Sequence, residues 1–157
     1  MQKPIEEFRK ELFHSHFFDK VKPFPGAREL LQKMKDRGLR IAIASSSSQE
    51  DLERLEKIGN ITDLTEKETS SDDAKKSKSA PDIFHAALKR LHLEGSHCLA
   101  LGDTPWDIQA AAKAGVRTVA LTCGGWTEQE LTQAGALEVY RHPSDLINRF
   151  AGSVFSR

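Results

Sequence analysis

"LALGDTPWDIQAAAKAGVRTVAL", residues 99 to 121, reads as strand, turn, helix, glycine stop and second strand. The apolar run before Gly102 is too short for a helix and is bounded by turn residues, so it predicts a buried strand. Thr104 stands where a helix cap belongs, Pro105 suits the first helical position and Gly115 the stop. "VRTVALTC", residues 116–123, is the next strand. Two aspartates, Asp103 and Asp107, sit at the mouth of the first strand, and a carboxylate there is costly to desolvate unless something cationic stands opposite. Two readings stand. Asp107 follows Thr104 at capping-box spacing and Asp103 is a strand-end residue facing water. Alternatively the pair holds a hard divalent cation such as Mg²⁺, which takes one or two carboxylates, keeps several waters and often bridges to a substrate phosphate.

The same grammar extends outward. Pro4 and the spacing of Ile5, Phe8, Leu12 and Phe13 predict a helix over 4–18, and "PFPG" at 23–26 a turn opening a helix that ends at Gly38. "LRIAIAS", 39–45, is a strand; 46–60 is a helix with Ser47 and Glu50 spaced as a capping box. A short edge strand near 64–69 leads into a charged loop, and Pro81 opens a helix. Strands are expected at 97–103 and 136–141, and helices at 104–115, 127–135 and 143–152. There is no internal repeat. Strands alternating with helices of about ten residues predict an α/β fold, a three-layer Rossmann-like parallel sheet with helices on both faces. In such sheets functional groups gather beyond the carboxyl ends of the strands. That directs attention to Ser45–Ser48, Gly102–Asp107, Cys123–Trp126 and the loop with Lys75, Lys76 and Lys78.

Bulk properties narrow the class. A chain of 157 residues fits one domain, and 23 basic against 23 acidic residues leave no electrostatic footprint for nucleic acid or an anionic membrane. No apolar run approaches a bilayer span, and the charged N-terminus does not read as a signal peptide. Cys98 and Cys123 lack metal-ligand spacing and read as small buried hydrophobes, which points to a cytoplasmic protein. The six histidines form no metal pattern. Trp106 reads as core or loop packing, and "CGGWT" at 123–127 as a turn into the next helix or a pocket rim.

Two further stations carry chemistry. "IAIASSSS" reads either as a polar turn and helix cap or as an anion cradle, in which the Ser45 hydroxyl and the N–H groups that follow, Ser46 included, meet phosphate at a helix start. Lys78, in "KKSKSAPDIF", is either a solvated lysine or an ammonium fixed ahead of a helix, able to neutralise phosphate oxygens.

The order Ser45, Lys78, then Asp103 with Asp107 resembles the haloacid dehalogenase superfamily, phosphatase branch. "VKPFPGARELLQKMKDRGLRIAIASSS" resembles the stretch into that family's second motif, with Ser45 as its Ser/Thr. "KSAPDIFHAALKRL" resembles the third, with Lys78 as its lysine and Ser79 where proline is common; residues 99–121 resemble the fourth, with Asp103 and Asp107 in the acidic positions. The resemblance covers roughly residues 20 to 145. It implies hydrolysis of a phosphate monoester of a small metabolite, with Ser45, Ser46 and Lys78 on phosphate, Ser45 and Lys78 in catalysis, and Mg²⁺ on Asp103 and Asp107. Dehalogenases, phosphomutases and phosphonatases share these motifs.

The first motif is absent. In the family it is a strand ending in D-x-D-G-T, whose first aspartate is the nucleophile and whose second is the general acid and base. No D-x-D occurs here; "DD" at 72–73 lies in a polar loop. The resemblance therefore implies a C-terminal portion of a longer protein: residues 1–20 as the remnant of a helical cap, residues 21–157 as an incomplete core whose first, central strand is missing, inactive alone for want of the nucleophile. A non-catalytic phosphate-binding or protein-interaction module and a truncated remnant are the alternatives. Phe8, Phe13, Phe17 and Phe18 would form an apolar patch and drive association through the N-terminal helix. The missing strand would lie between 40–45 and 98–103. With about five apolar side chains it would contribute on the order of 10 kcal/mol, comparable to a whole domain's net stability. Its neighbours either close up and pair, or the N-terminal helix fills the gap, or the fold suffers.

Overall fold

Local rules set the ends of the elements in the computed structural model, which describes residues 2–71 and 83–157. In chain order they are α1 (Gln2–His16), α2 (Ala27–Asp36), β1 (Ala42–Ala44), α3 (Gln49–Gly59), β2 (Lys67–Thr69), α4 (Ile83–Leu91), β3 (Leu99–Gly102), α5 (Pro105–Lys113), β4 (Arg117–Leu121), α6 (Glu128–Gln133), β5 (Glu138–Tyr140) and α7 (Pro143–Asn148). Gly38, at φ +80°, turns the chain out of α2 so that the Leu39 N–H reaches the Met34 carbonyl at 3.1 Å. Gly26 sits so close to α7 that a Cβ there would meet Ser144 Oγ at 2.5 Å.

All strand pairs are parallel, as the alternation predicts. The strands fall into two sheets, β1–β2 and β3–β4–β5. Helices cover both faces. On one, Leu30 and Met34 of α2 and Leu146 of α7 pack with Val119, Leu121, Tyr140, Phe150 and Phe155. On the other, Ile108 and Leu131 close over Ala120, and Ala111 lies against Ala100 and Val116. The same helices hold the sheets side by side. Leu39 and Ile41, leading into β1, share the α2 cluster with Leu99 of β3. Helix α4 packs Phe84 and Leu88 toward Ala100 and also contacts β1 and β2.

Of the three alternatives for the place of the missing strand, closing up is not the one taken: among the described residues β1 and β3 do not pair with one another. Nor does α1 substitute for a strand; it docks on α3 through His14 and Asp51. The strands are also shorter than their apolar runs, β1 taking only Ala42–Ala44 of 39–45, because a single neighbour offers a short ladder. The cap of α3 lies one residue later than expected, at Ser48 with Asp51 rather than Ser47 with Glu50. The reason is tertiary: the Ser47 N–H is taken by Ser45 Oγ and its carbonyl by the Ser71 N–H, so the turn runs on through Ser47. The chain after α7 forms short 3-10 turns at Phe150–Gly152 and Val154–Ser156. Among the described residues no helix is long and apolar enough to cross a membrane.

Candidate active site

The acidic station is built by the β3–α5 turn. Thr104 caps α5: its Oγ1 accepts the Asp107 N–H at 3.2 Å, and Asp107 Oδ2 accepts the Thr104 N–H at 3.1 Å. The same oxygen takes the Thr104 hydroxyl at 2.9 Å and the Asp103 N–H at 3.3 Å. The capping reading of Asp107 thus describes its contacts, and they hold its carboxylate against the end of β3. Gly102 makes room for this, since a Cβ there would lie 2.8 Å from Asp107 Cβ. The turn after β4 closes the other side. A Cβ on Gly124 would stand 2.6 Å from Asp103 Oδ2, so only glycine lets that turn come so near the carboxylate.

Asp103 is half-buried, and its carboxyl is pushed up from the ordinary value by desolvation and then by the neighbouring Asp107 charge. Burial first, and the Asp103 charge second, push up the Cys123 thiol, which places Cys123 beside the acidic pair. Both cysteines are free, and burial raises Cys98 as well. Two partly buried carboxylates with hard oxygen donors suit a hard divalent cation that keeps waters and a substrate oxygen in its remaining positions. Among the described residues no cluster of three metal-ligating side chains occurs, so the pair is at most part of a coordination shell.

The serine station lies at the carboxyl end of β1. The Ser45 N–H continues the ladder to the Thr69 carbonyl at 2.9 Å, and Ser45 Oγ accepts the Ser47 N–H at 3.1 Å. That bond leaves the hydroxyl proton free to donate. Ser46 is exposed at the tip. Thus Asp103 and Asp107 are brought into contact, whereas Ser45 and Ser46 stand at the end of a different sheet. No hydrogen bond joins the two stations among the described residues. Lys78, with Lys75 and Lys76, lies outside the described residues.

Trp106 is 65% exposed and packs edge-to-face on Trp126, ring centroids 5.1 Å apart. It therefore packs from the first turn of α5 onto Trp126 and is not core. Phe18, expected in an exposed patch, is buried against Phe13, His14 and Arg54, while Phe8, Phe13 and Phe17 are exposed. Gly124 was legible only as one of two glycines after a strand. Its fit against Asp103 needs the fold.

The family model of haloacid dehalogenase-like hydrolases matches residues 2–115. The chain belongs to that family. Among curated relatives, this haloacid dehalogenase-like hydrolase is 32% identical over 120 residues to a bifunctional riboflavin kinase/FMN phosphatase of Arabidopsis thaliana, covering 74% of this chain and 32% of that protein. It is 26% identical over 149 residues to a phosphorylated carbohydrates phosphatase of Thermotoga maritima, covering 92% and 68%. A solved hydrolase from Pseudomonas syringae superposes with a TM-score of 0.76 at 32% identity, over 88% of this chain and 65% of that one. Phosphatases among its relatives and the shared α/β fold agree with the phosphatase branch that the sequence motifs resemble. The chain spans only about a third of the Arabidopsis protein's length.

Proposed function

We propose that this chain supplies the phosphate-binding and Mg²⁺-binding groups of a cytoplasmic phosphatase acting on a small phosphorylated metabolite, and that the carboxylate nucleophile comes from a further strand seated between β1 and β3. One observation carries the reading: β1 and β3 are left unpaired toward each other while helices on both faces hold them side by side, and Ser45 and Asp103 stand at their carboxyl ends. A parallel strand entering there would end between the two stations. In this reading Ser45 donates its hydroxyl proton to a phosphoryl oxygen, Ser46 offers its N–H, and Lys78 neutralises charge. Asp103 and Asp107 would hold Mg²⁺, whose chemistry when bound is to offset charge on the phosphoryl oxygens. In this reading Asp103 and Asp107 are taken up by the metal, so the attacking carboxylate that forms the phospho-enzyme comes from the further strand. Residues 1–20 would then be the remnant of a helical cap, and the exposed Phe8 and Leu12 of α1 a surface for association.

Melting of the chain in inorganic phosphate with Mg²⁺ tests the binding half. Stabilisation is expected in the wild type and not in Ser45→Ala or Lys78→Ala, and an unmoved wild-type melting temperature overturns it. Release of phosphate from p-nitrophenyl phosphate tests the other half. The chain alone should be inactive, and a synthetic apolar strand peptide ending in D-x-D-G-T should restore turnover. Turnover by the chain without peptide would refute the external nucleophile.

A further inference from the structure

The serine turn is tied at its far end to α1, through a contact between residues far apart in sequence. His14 Nε2 lies 2.9 Å from Asp51 Oδ1, the two side chains being 27% and 13% exposed; both atoms are shut off from solvent, and the contact is an ion-pair approach without the alignment of a full hydrogen bond. Two lone pairs facing each other in such a place would be costly, so this close approach calls for a ring proton on Nε2, facing Asp51. The other Asp51 oxygen accepts the Ser48 hydroxyl at 2.9 Å, and the Asp51 N–H returns to Ser48 Oγ at 3.4 Å. Ser48 is both the cap of α3 and the last residue of the turn that begins at Ser45. The turn is held elsewhere by Ser45 N–H to the Thr69 carbonyl, Ser47 N–H to Ser45 Oγ, and Ser71 N–H to the Ser47 carbonyl.

Phe18 locks the arrangement. Its ring is buried between the His14 ring, centroids 5.1 Å apart, and the Arg54 guanidinium, 3.9 Å from the ring centre. Rolling α1 away from α3 would expose Phe18 and strand Asp51 without its donor. Desolvation pushes the Asp51 carboxyl up, but the Ser48 hydroxyl, the neighbouring His14 and the charge of Lys10 together hold it below its ordinary value. The Asp51 carboxylate is therefore the ionised, acceptor-only form that both Ser48 and His14 need.

We propose that His14 is a positioning residue for the serine turn: by holding Asp51 it fixes Ser48, and with it the Ser45 hydroxyl and the Ser46 N–H in the shape that meets a phosphoryl group. This rests on the phosphate-binding reading of Ser45. Three variants separate the roles of His14. His14→Ala removes ring and donor, His14→Leu keeps bulk without a donor, and His14→Gln keeps a side-chain N–H.

Amide hydrogen exchange should show protection at Ser47, Ser48 and Asp51 falling about tenfold in the Ala and Leu variants and restored in Gln, the size expected for a lost bond to a charged acceptor. With Mg²⁺ present, the dissociation constant for inorganic phosphate should rise by a similar factor and recover in Gln. Protection unchanged in His14→Leu makes His14 a packing residue and overturns the clip. The exchange pattern without phosphate binding by the wild type overturns the phosphate reading instead.

Discussion

Leu101 and Val119 are opposite one another in the ladder of β3 and β4, yet Val119 is fully buried and Leu101 is 37% exposed. The difference between them is the difference between two regions. Strand β4 has a partner at each edge and a helix layer on each face, and from Thr118 to Leu121 every residue is buried. Strands β3 and β1 have one partner each, and an apolar residue of each, Leu101 and Ala44, stays exposed. A parallel strand is stabilised by company on all sides. Where company is missing, an apolar sequence still forms a strand, but part of it, here Leu101 and Ala44, stays outside the core.

Core truncation gives the largest effect by which that comparison can be broken. Leu146→Ala, at a fully buried position over the three-stranded sheet, should cost about 3 kcal/mol, and Val119→Ala about 2 kcal/mol. Leu101→Ala should cost less than about 1 kcal/mol, because little contact surrounds it. Urea unfolding of the three variants measures this, and a cost at Leu101 equal to that at Val119 would mean that the free edge of β3 is covered. A smaller effect sharpens the view of the site side. Thr104→Ala removes the cap of α5 and should lower stability by about 1 kcal/mol in the same assay. It also strips Asp107 of two of its bonds, so any Mg²⁺-induced rise in melting temperature should shrink with it.

The smallest effect lies on the two-stranded side, where Arg28 of α2 grips Asp63 ahead of β2 with hydrogen bonds of 2.7 and 2.8 Å. The Arg28 hydrogen bonds hold the Asp63 carboxyl at about 2. A carboxyl depressed on folding stabilises the folded state above its unfolded value of about 4, and that contribution fades as pH falls through about 2. Asp63→Asn should therefore lower the melting temperature slightly near pH 7, the pair being exposed and screened. The gap to wild type should close between about pH 4 and pH 2. A gap that persists at pH 2 would assign the effect to the amide itself.

What could be read from the residues alone was whatever neighbours in the chain decide. The strand–helix alternation, the Thr104–Asp107 box, the glycine stops at Gly38 and Gly115, and the acidic pair beyond β3 depend on bonds spanning a few residues. Those bonds form wherever the segment lies. The order of Ser45, Lys78, Asp103 and Asp107 likewise belongs to the chain itself and points to the family without a fold.

The division into two sheets was decided only by the tertiary structure. So were the one-residue shift of the α3 cap, the burial of Phe18 beside Arg54, the approach of Gly124 to Asp103 and the His14–Asp51 clip. Each depends on a partner distant in sequence, and a side chain's burial or a turn's last hydrogen bond is set by what the folded chain brings alongside it, which no local pattern encodes.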